Sequence, residues 1–448
     1  MTLRFGTDGI RGLANAELTP ELVLALGRAA TRVLGQEFVV GRDPRVSGPM
    51  LQAALSAGMS AEGAAVVDLG VLPTPAVAFV AQDRGVAGAM VSASHNPFHD
   101  NGIKLFGPGG TKLDDATQLA METELDAVLR ADPPTSGEVG VMSADHGATR
   151  LYVEHLVGSL EERRLDGMRV ILDCANGAAS ALAQDVLRRV GAEVAVLFDR
   201  PDGRNINDGC GSNHPEALQE AVRDEGADAG LAFDGDADRV VAVDDTGAVV
   251  DGDRVLAMLG PDLDERGLLA ERTVVVTVMA NLGLRQALAR RGIAVVETPV
   301  GDRHLLEAMD AGGFALGGEQ SGHIILGRLA TTGDGILTGL TLLDLLRRAG
   351  GPLSDLATGA MERMPQVLRN VRVTDLSRLA TADEVWHAVR AAEAELGEEG
   401  RVLLRPSGTE PLVRVMVEAA TETQAADVVD RLCAVVEQSL GARPSLDA

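Results

Sequence analysis

Short apolar segments typical of β-strands alternate with helical patterns along most of this chain. The predicted strands cover residues 38–41, 64–69, 88–92, 169–173, 193–198, 229–233, 273–278, 293–297 and 314–317. The predicted helices among them cover residues 20–34, 49–61, 179–190, 215–224, 284–291 and 302–311. Because such helices bury an apolar stripe on a sheet, the alternation predicts an α/β fold with mixed or parallel sheets, in which one plan is used about three times.

Three segments have the composition of domain boundaries. They are a stretch rich in Pro, Gly and Ser at 130–140, a turn within 249–254, and the surroundings of Pro365 at 364–370. After the last one, a helix at 381–396, strands at 401–404 and 412–418, and a helix at 424–440 predict a smaller α+β unit. The 448 residues suffice for two to four domains of ordinary size.

The charge of the chain argues against two classes of partner. With 40 basic and 66 acidic residues the net charge is −26, whereas nucleic acids and anionic membranes attract positive surfaces. Only eight Phe, one Trp and one Tyr are present, too few to favour base-stacking platforms. An anionic ligand would therefore need a local cluster of Arg, Lys and backbone N–H groups.

Several features favour a cytoplasmic location. No apolar run reaches the roughly 18 residues that a membrane span needs. The start, MTLRFGTDGIRG, is charged and has no apolar core of a signal peptide. Cys174, Cys210 and Cys433 are odd in number and widely spaced, which is typical of reduced thiols rather than of a disulfide framework.

The first segment that carries chemistry is AMVSASHNPFHDNGIK at 89–104. A buried-strand pattern leads into a polar turn, and Ser94 is placed at the end of that strand, where ligands of α/β sheets bind. His95 is adjacent in sequence, and no GxSxG motif surrounds Ser94, so a Ser–His–Asp hydrolase is disfavoured. A serine that accepts a phosphoryl group and a plain polar loop both remain open.

The second segment is LAFDGDADRV at 231–240. Its apolar strand leads to Asp234, Asp236 and Asp238, and an extended chain would direct these alternate side chains to one face. Three adjacent carboxylates repel one another unless a cation neutralises them, and an all-oxygen set favours Mg²⁺. We therefore expect a metal site, next to Arg239 as a phosphate contact; the alternative is a solvated acidic turn.

The third segment is GGEQSGH at 317–323, with TPVGDR at 298–303 upstream. Glu319 and Ser321 alternate as in a strand and offer polar groups that suit neighbouring sugar hydroxyls. His323 is the histidine of this motif and could transfer protons. On its own the segment is equally compatible with a binding loop and with a plain turn.

The fourth segment is RPSGTEP at 405–411. Arg405, Ser407 and Thr409, with Gly408 exposing backbone N–H groups, form a plausible phosphate cradle, and Arg414 lies on the next strand. The alternative is a turn that connects two strands. The chain has no Walker A, Rossmann or HExxH motif, so nucleotide cofactors and zinc peptidase chemistry have no support.

Of the 40 basic residues, only Lys104 and Lys112 are lysines, and the others are arginines. A lysine kept against such a bias can mark a place where a compact ammonium is required. Chance retention is the alternative for either one.

Together with FGTDGIRG at 5–12, these segments resemble, in order and over nearly the whole chain, the α-D-phosphohexomutase superfamily. Gln320 and the RPSGTEP form make the resemblance strongest to its bacterial branch that acts on glucosamine phosphates. The resemblance implies three similar α/β domains and a smaller C-terminal α+β domain around a central cleft. The domains would cover residues 1–150, 151–252, 253–366 and 367–448.

The resemblance also implies a role for each matching residue. Ser94 is similar to the phosphoserine of the family, and Asp234, Asp236 and Asp238, with the phosphate on Ser94, to the ligands of one Mg²⁺. Glu319 and Ser321 match sugar-hydroxyl contacts, and Arg11, Lys104 and His323 match positions of proton transfer or charge stabilisation. The implied contacts of the phosphosugar further include Arg239, Arg303, Arg405, Ser407, Gly408, Thr409 and Arg414. We expect the cations among these residues to face one cleft.

The implied activity is an isomerase that interconverts glucosamine 6-phosphate and glucosamine 1-phosphate. The reaction would pass through a 1,6-bisphosphate and supply UDP-N-acetylglucosamine and cell-wall precursors. Phosphoglucomutase or phosphomannomutase activity, a Mg²⁺-dependent sugar phosphatase and a non-catalytic phosphosugar sensor are the alternatives. The sequence leaves a monomer and a homodimer open.

Overall fold

A computed structural model describes residues 9–132, 138–406 and 411–441 of the chain. Two compact units make up the chain and are described separately. The first comprises Met1–Met279 and Leu288–Ala360, and the second comprises Ala280–Ala287 and Met361–Ala448.

The first unit contains three mixed sheets and the helices that cover them. Its strands are β1 (Ile10–Leu13), β2 (Glu37–Arg42), β3 (Ala65–Val71), β4 (Ala87–Val91), β5 (Asp100–Phe106), β6 (Met142–Ala144), β7 (Arg169–Asp173), β8 (Glu193–Leu197), β9 (Ala229–Phe233), β10 (Val240–Asp244), β11 (Val249–Val250), β12 (Thr273–Thr277), β13 (Ala294–Thr298), β14 (Leu316–Gly318) and β15 (Ile324–Leu326). Its helices are α1 (Pro20–Leu34), α2 (Gly48–Ala61), α3 (Thr74–Arg84), α4 (Asp115–Val128), α5 (Ala148–Gly158), α6 (Ala183–Arg189), α7 (Glu216–Glu225), α8 (Gly252–Glu265), α9 (Leu282–Arg290, whose first residues belong to the second unit), α10 (Asp302–Gly312), α11 (Gly335–Ala349) and α12 (Leu353–Ala360).

The helix ends follow from local chemistry. Thr19 caps α1 by accepting a hydrogen bond from the backbone N–H of Leu22, and Pro20 occupies the first turn, where its missing N–H costs nothing. Asp251 caps α8 and Asp334 caps α11 in the same way. Gly85, Gly226 and Gly313 end α3, α7 and α10 in the left-handed conformation that glycine adopts without strain.

The three sheets share one topology. Their strand orders are β1-β5-β4-β2-β3-β6, β11-β10-β9-β7-β8 and β13-β12-β14-β15. In each sheet a core of parallel strands is followed by one antiparallel neighbour, which is β5 beside β4, β10 beside β9, and β15 beside β14. The plan predicted from the strand–helix alternation is thus present three times, and the α/β fold class is confirmed.

Three loops occupy equivalent places in this plan. Residues 92–99, here the Ser94 loop, join β4 to β5; residues 234–239, the acidic loop, join β9 to β10; and residues 319–323, the Glu319 loop, join β14 to β15. Each loop therefore leaves the carboxyl end of a buried parallel strand and returns antiparallel beside it. This edge of an α/β sheet is where ligands usually bind.

The second unit is the smaller α+β part. Its antiparallel sheet has the order β16-β18-β17, formed by Gln366–Arg372, Leu412–Glu418 and Arg401–Pro406. Helices α13 (Asp383–Leu396) and α14 (Glu422–Leu440) cover one face and bury valines and leucines such as Val415, Val417 and Leu432. Buried Glu418 pairs with Arg401 at 2.5 Å and accepts hydrogen bonds from Asn281 and Leu282, which fastens the start of α9 to this unit.

Several predicted elements match within one or two residues, and some elements were missed. The helix at 20–34 and the strands at 169–173, 229–233 and 412–418 have the predicted ends. The predicted helix at 179–190 is instead a 3₁₀ turn followed by α6, with a break at Leu182. Strand β5 was missed because its first residues, Asp100, Asn101 and Gly102, are typical of turns. Helices α3 and α11 were missed because most of their residues are buried, so their patterns lack a polar face.

Two further observations bear on the sequence predictions. Among the described residues no helix is long and apolar enough to cross a membrane. The three cysteines are unpaired, with Cys174 and Cys210 buried. The four domain ranges stay predictions.

Candidate active site

Ser94 lies in a buried turn directly after β4. Its backbone adopts a φ of +53°, a left-handed conformation that is uncommon for a residue other than glycine, and its side chain is fully buried. Its hydroxyl donates a hydrogen bond of 2.6 Å to Oδ2 of Asp234. The backbone N–H of Ser94 donates to the hydroxyl of Ser92, which in turn donates to Asp43. The Ser94 loop therefore presents one hydroxyl to the acidic loop.

The three aspartates converge, but not for the reason that the sequence predicted. Asp234, Asp236 and Asp238 each offer a carboxylate oxygen within 4.8 Å of the others. They lie in a tight turn between two antiparallel strands, with Ala237 at a φ of +56°, and not along an extended strand. The expectation of alternating side chains on one face of a strand is wrong, because a hairpin turn folds the three residues back around one point.

Burial and mutual repulsion dominate the electrostatics of this triad. Burial, with the charges of Asp238 and Asp236, raises the pKa of Asp234 to about 8. Burial alone would raise the pKa of Asp238 too, but the charges of Lys104 and His323 hold it well below its usual range. Oδ1 of Asp236 and Oδ1 of Asp238 are buried and accept no hydrogen bond from the described residues. Such orphaned acceptors fit a hard cation that prefers oxygen ligands.

Lys104 and Thr74 hold the other carboxylate oxygens. Lys104, on β5, is 2% exposed, and its ammonium lies 2.8 Å from both Asp236 Oδ2 and Asp238 Oδ2. Thr74, the first residue of α3, donates its hydroxyl to Asp236 Oδ2 at 2.5 Å and its N–H to the Asp236 carbonyl. These contacts join the first sheet to the acidic loop, so Lys104 is a charge partner of the triad.

Arg239 and Arg11 lie near His95, beside Ser94. Nη1 of Arg239 is 3.3 Å from Nδ1 of His95, and its Nε is 3.8 Å from Oδ1 of Asp238. Burial, together with the charges of Arg239 and Arg11, lowers the pKa of His95 to about 4, so this imidazole is neutral at pH 7. The side of the site next to Ser94 is thus cationic although the whole chain is acidic.

The Glu319 loop is also a tight turn. Oε2 of Glu319 accepts a hydrogen bond of 3.1 Å from Ser321, so the two residues are adjacent as expected, but through a turn and not through strand alternation. The loop packs against the first residue of β10 and against the start of α8. A Cβ on Gly322 would lie 2.0 Å from the carbonyl oxygen of Val240, and one on Gly252 would lie 2.0 Å from that of Glu319. Only glycine permits this approach.

His323 is 2% exposed and lies between two carboxylates. Its Nδ1 is 3.7 Å from Asp238 Oδ1, and its Nε2 is 4.0 Å from Asp302 Oδ2. Nε2 also accepts a hydrogen bond of 3.2 Å from the N–H of Gly333. Burial alone would lower the pKa of His323, but the nearby carboxylates of Asp238 and Asp302 raise it above the usual value.

The contacts of Arg303 are with α4 and with its own helix, α10. It forms ion pairs with Asp115 and with Glu307, and a hydrogen bond with Gln118, so it faces α4. It lines a cavity of about 530 Å³ together with Lys112, whose ammonium pairs with the buried Asp302. Both lysines of the chain are therefore bound to buried aspartates, and Lys112 contacts Asp302, one of the two carboxylates beside His323.

In the second unit, Arg405 on β17 lies directly opposite Arg414 on β18. Burial and the charge of Arg414 lower the pKa of Arg405. Among the described residues neither arginine is ion-paired with a carboxylate, and the buried Nε of Arg414 has no hydrogen-bond partner. Like charges opposite each other on paired strands are unfavourable unless an anion binds between them. Ser407, Gly408 and Thr409 lie outside the described residues.

Sequence reasoning missed four contributors to the site. Arg45 and Asn207 donate to backbone carbonyls of the Ser94 loop, Thr74 contacts Asp236, and Gly333 contacts His323. None of the four lies in the same sequence motif as the residue that it contacts, because each belongs to a different segment of the chain. A sequence signal for Arg45 is the polar segment GRDPR at 41–45, between a predicted strand and a predicted helix.

Four domains of one protein family match successive parts of the chain. The description "Phosphoglucomutase/phosphomannomutase, alpha/beta/alpha domain I" matches residues 2–131, and those of domains II and III match residues 150–247 and 251–364. The description of the family's C-terminal domain matches residues 368–435.

Curated proteins and solved structures are similar over the same length. A protein of Thermobifida fusca (strain YX) named phosphoglucosamine mutase is 53% identical over 449 residues, covering 98% of this chain and 99% of that protein. A protein of the same name from Acidothermus cellulolyticus is 54% identical and covers 98% and 96%.

Among structures, a phosphoglucomutase/phosphomannomutase family protein from Burkholderia thailandensis has a TM-score of 0.82 and 26% identity, with 97% of each chain covered. N-acetylphosphoglucosamine mutase from Aspergillus fumigatus, solved with GlcNAc-6P and magnesium, has a TM-score of 0.69 and 20% identity, covering 98% of this chain and 96% of that one.

Proposed function

The chain belongs to the phosphoglucomutase/phosphomannomutase family, and from this premise we propose that it interconverts glucosamine 6-phosphate and glucosamine 1-phosphate. Curated relatives at 53% identity over nearly their full length carry the name of this activity. The observation in the chain that supports the chemistry best is the hydrogen bond of 2.6 Å between the Ser94 hydroxyl and Asp234, inside a triad of buried carboxylates.

The reaction is a pair of phosphoryl transfers through Ser94. A free hydroxyl oxygen of the sugar attacks the phosphorus on phosphorylated Ser94, and the P–Oγ bond breaks. The proton of the sugar hydroxyl passes to a base and a proton is delivered to Oγ of Ser94, so one proton moves in net terms from the sugar oxygen to the serine oxygen. The serine hydroxyl so released donates to Asp234, as it does in the structure. The second transfer reverses these steps at the other end of a 1,6-bisphosphate. Because phosphoryl transfer depends on positioning and charge neutralisation, the contacts that fix the position of Ser94 contribute to catalysis.

Asp234, Asp236 and Asp238 would hold one Mg²⁺ together with the phosphate on Ser94. The fit rests on the two orphaned buried oxygens and on an all-carboxylate donor set. When bound, the cation neutralises charge on the transferred phosphoryl group. Lys104 balances the negative charge of Asp236 and Asp238. Arg239 and Arg11 supply positive charge beside Ser94. His323, which lies between Asp238 and Asp302, would move the proton of the sugar hydroxyl.

The remaining residues bind the sugar phosphate without reacting. Glu319 and Ser321 offer adjacent acceptors and a donor, which suit vicinal hydroxyl or amino groups of a hexosamine. Arg405 and Arg414 face each other with no described carboxylate partner, which favours a bound phosphate monoester at the loop that follows β17. Arg303, paired with Asp115 and Glu307, would contact substrate only after exchanging those partners. The unpaired cysteines favour a cytoplasmic enzyme.

The first experiment measures the mass of the intact purified protein. We expect a species about 80 Da heavier than the sequence mass, which adding glucosamine 6-phosphate discharges. Ser94→Ala should lack this species and lose activity by several orders of magnitude. Ser180→Ala, which removes another buried hydroxyl without a described partner, serves as the control and should keep both. Full activity of Ser94→Ala would contradict the mechanism.

The second experiment compares substrates. We expect the highest kcat/KM with glucosamine phosphates, and lower values with the corresponding phosphates of N-acetylglucosamine, glucose and mannose. A preference for glucose 1-phosphate or mannose 1-phosphate would replace the proposed activity by another one of the same family. Net release of inorganic phosphate without isomerisation would instead identify a phosphatase.

A further inference from the structure

Arg45 is a fully buried arginine whose donors point at the backbone of the Ser94 loop. Its Nη2 donates to the carbonyl oxygens of Ser94 at 2.9 Å and of Asn96 at 2.8 Å. Its Nη1 donates to the carbonyls of Pro97 and Asp100. Its Nε pairs with the buried Asp43 at 2.9 Å, which neutralises the guanidinium.

Asn207 approaches the same loop from the connection between β8 and α7. Its Nδ2 donates to the carbonyl of Ser94 at 2.9 Å and to that of Asn96 at 3.0 Å. These are the two carbonyls that Nη2 of Arg45 binds. Asn207 has a φ of +58°, which asparagine tolerates better than most residues, and its own N–H donates to Ala175.

We propose that Arg45 and Asn207 form a carbonyl clamp, a pair of positioning residues that hold Ser94 in its left-handed conformation with the hydroxyl aimed at the acidic loop. This inference rests on the proposed function for its catalytic consequence. Neither side chain needs to touch substrate, since both act through the backbone of Ser94 and Asn96.

The clamp has a physical reason in the reaction. Ser94 must give a phosphoryl group and take it back, and an uncommon φ persists only where surrounding contacts over-determine it. A carbonyl has two lone pairs, and the clamp fills both on Ser94 and on Asn96 with donors from two different connections, β2–α2 and β8–α7. The backbone of the loop therefore cannot turn either carbonyl without losing hydrogen bonds to a buried charge.

The clamp also couples the nucleophile to the metal-binding turn. A Cβ on Gly235 would lie 2.7 Å from the Ser94 carbonyl oxygen and 2.9 Å from Nδ2 of Asn207. Gly235 lies between Asp234 and Asp236, so the bound carbonyl sets the distance between Ser94 and the triad. A shift of the loop by about 1 Å would be enough to slow transfer about a hundredfold.

Two variants of Asn207 test the proposal. Asn207→Gly keeps the positive φ and removes the amide, and Asn207→Asp places a carboxylate beside two carbonyls. We expect kcat for glucosamine 6-phosphate with Mg²⁺ to fall about 30- to 100-fold in both, with KM changed less than about threefold, because substrate contacts are untouched. Arg45→Lys, which cannot reach four carbonyls at once, should behave alike.

Asn205→Asp is the matched control. Asn205 belongs to the same segment, and its amide donates to Arg200 rather than to the Ser94 loop. We expect its kcat within about twofold of the wild type. Equal losses of kcat in Asn205→Asp and Asn207→Gly, or a rise in KM with kcat unchanged in Asn207→Gly, would overturn the clamp, because the first indicates a structural role and the second a substrate contact.

Hydrogen exchange of the loop gives a readout that does not depend on catalysis. The N–H groups of Ser94 and Asn96 are bonded within the loop, to Ser92 and Ala93. We expect exchange in the peptide containing residues 92–99 to accelerate at least about tenfold in Asn207→Gly but not in Asn205→Asp. Unchanged exchange would overturn the clamp even if the wild type proves to act on another sugar, whereas a wild type without phosphoryl transfer would refute only the proposed function.

Discussion

Gly235→Ala tests whether close packing between the acidic loop and the Ser94 loop sets the reaction rate. The added methyl would lie 2.7 Å from the carbonyl oxygen of Ser94, 2.8 Å from Cδ1 of Ile206 and 2.9 Å from Nδ2 of Asn207. Gly235 does not have a positive φ, so alanine fits its backbone and the whole effect is steric. All three contacts are closer than a real Cβ tolerates, and the nearest atom is backbone.

The expected cost follows from these distances. Overpacking a rigid interior destabilises by about 1–3 kcal/mol, which lowers the melting temperature by several degrees at most in a chain of this length. The contact is relieved only if the Ser94 loop and the acidic loop move apart by some tenths of an ångström. Because a displacement of about 1 Å can cost about 100-fold, we expect kcat to fall about 10- to 50-fold.

The assay compares kcat, KM and melting temperature with those of Gly158→Ala. Gly158 ends α5, has no atom within 4 Å of its virtual Cβ and has no positive φ, so the same substitution there should be neutral or stabilise by up to about 1 kcal/mol. If Gly235→Ala keeps kcat within twofold of the wild type while it folds normally, the two loops are not held at a set distance and the reasoning is refuted.

Burial raises the pKa of Asp334 to about 6, so Asp334 binds its proton more tightly in the folded chain than in the unfolded chain. The contribution of Asp334 to stability is therefore lost as pH rises from about 4 to about 6. Relative to Asp334→Asn, the wild type should therefore lose at most about 3 kcal/mol between pH 4 and pH 7, as urea unfolding at both pH values would reveal; a constant difference would contradict the shift. Glu418→Gln should destabilise the protein by about 3 kcal/mol in thermal unfolding, because it breaks the pair of a fully buried Glu418 with a mostly buried Arg401, while Glu395→Gln at an exposed pair should cost less than about 1 kcal/mol. Mg²⁺ at a hundredfold excess over its Kd should stabilise the wild type by about 2.7 kcal/mol and have little effect on Asp236→Asn; equal stabilisation of both would place the cation elsewhere.

Much of the local structure could be predicted because it depends on neighbours in sequence. The helix at 20–34 was predicted with both ends because Pro20 and the apolar spacing act within a few residues. Ser94 and the three aspartates were singled out because each polar cluster follows an apolar strand. Helix α11 was missed because it is buried nearly all round, which removes the polar face that marks a helix in sequence.

The site itself depends on contacts between distant parts of the chain. Ser94 and Asp234 are 140 residues apart, and Lys104 and Asp238 are 134 apart, yet each pair is in hydrogen-bonding contact. The sequence predicted the right carboxylates with the wrong geometry, since strand alternation and a hairpin turn place the same three residues differently. Turns are determined by how the flanking strands pair, and that pairing is tertiary.

The sequence by itself determined the residue types, their order and the α/β class, because apolar periodicity and dense polar motifs are local properties. The tertiary structure alone decided which polar groups meet. It placed three hairpin loops at equivalent sheet edges, paired Lys104 with two aspartates, and brought Arg45 and Asn207 to the same two carbonyls. The physical reason is that a buried charge or carbonyl needs a hydrogen-bond or ion-pair partner that is close in space. That partner need not be close in sequence.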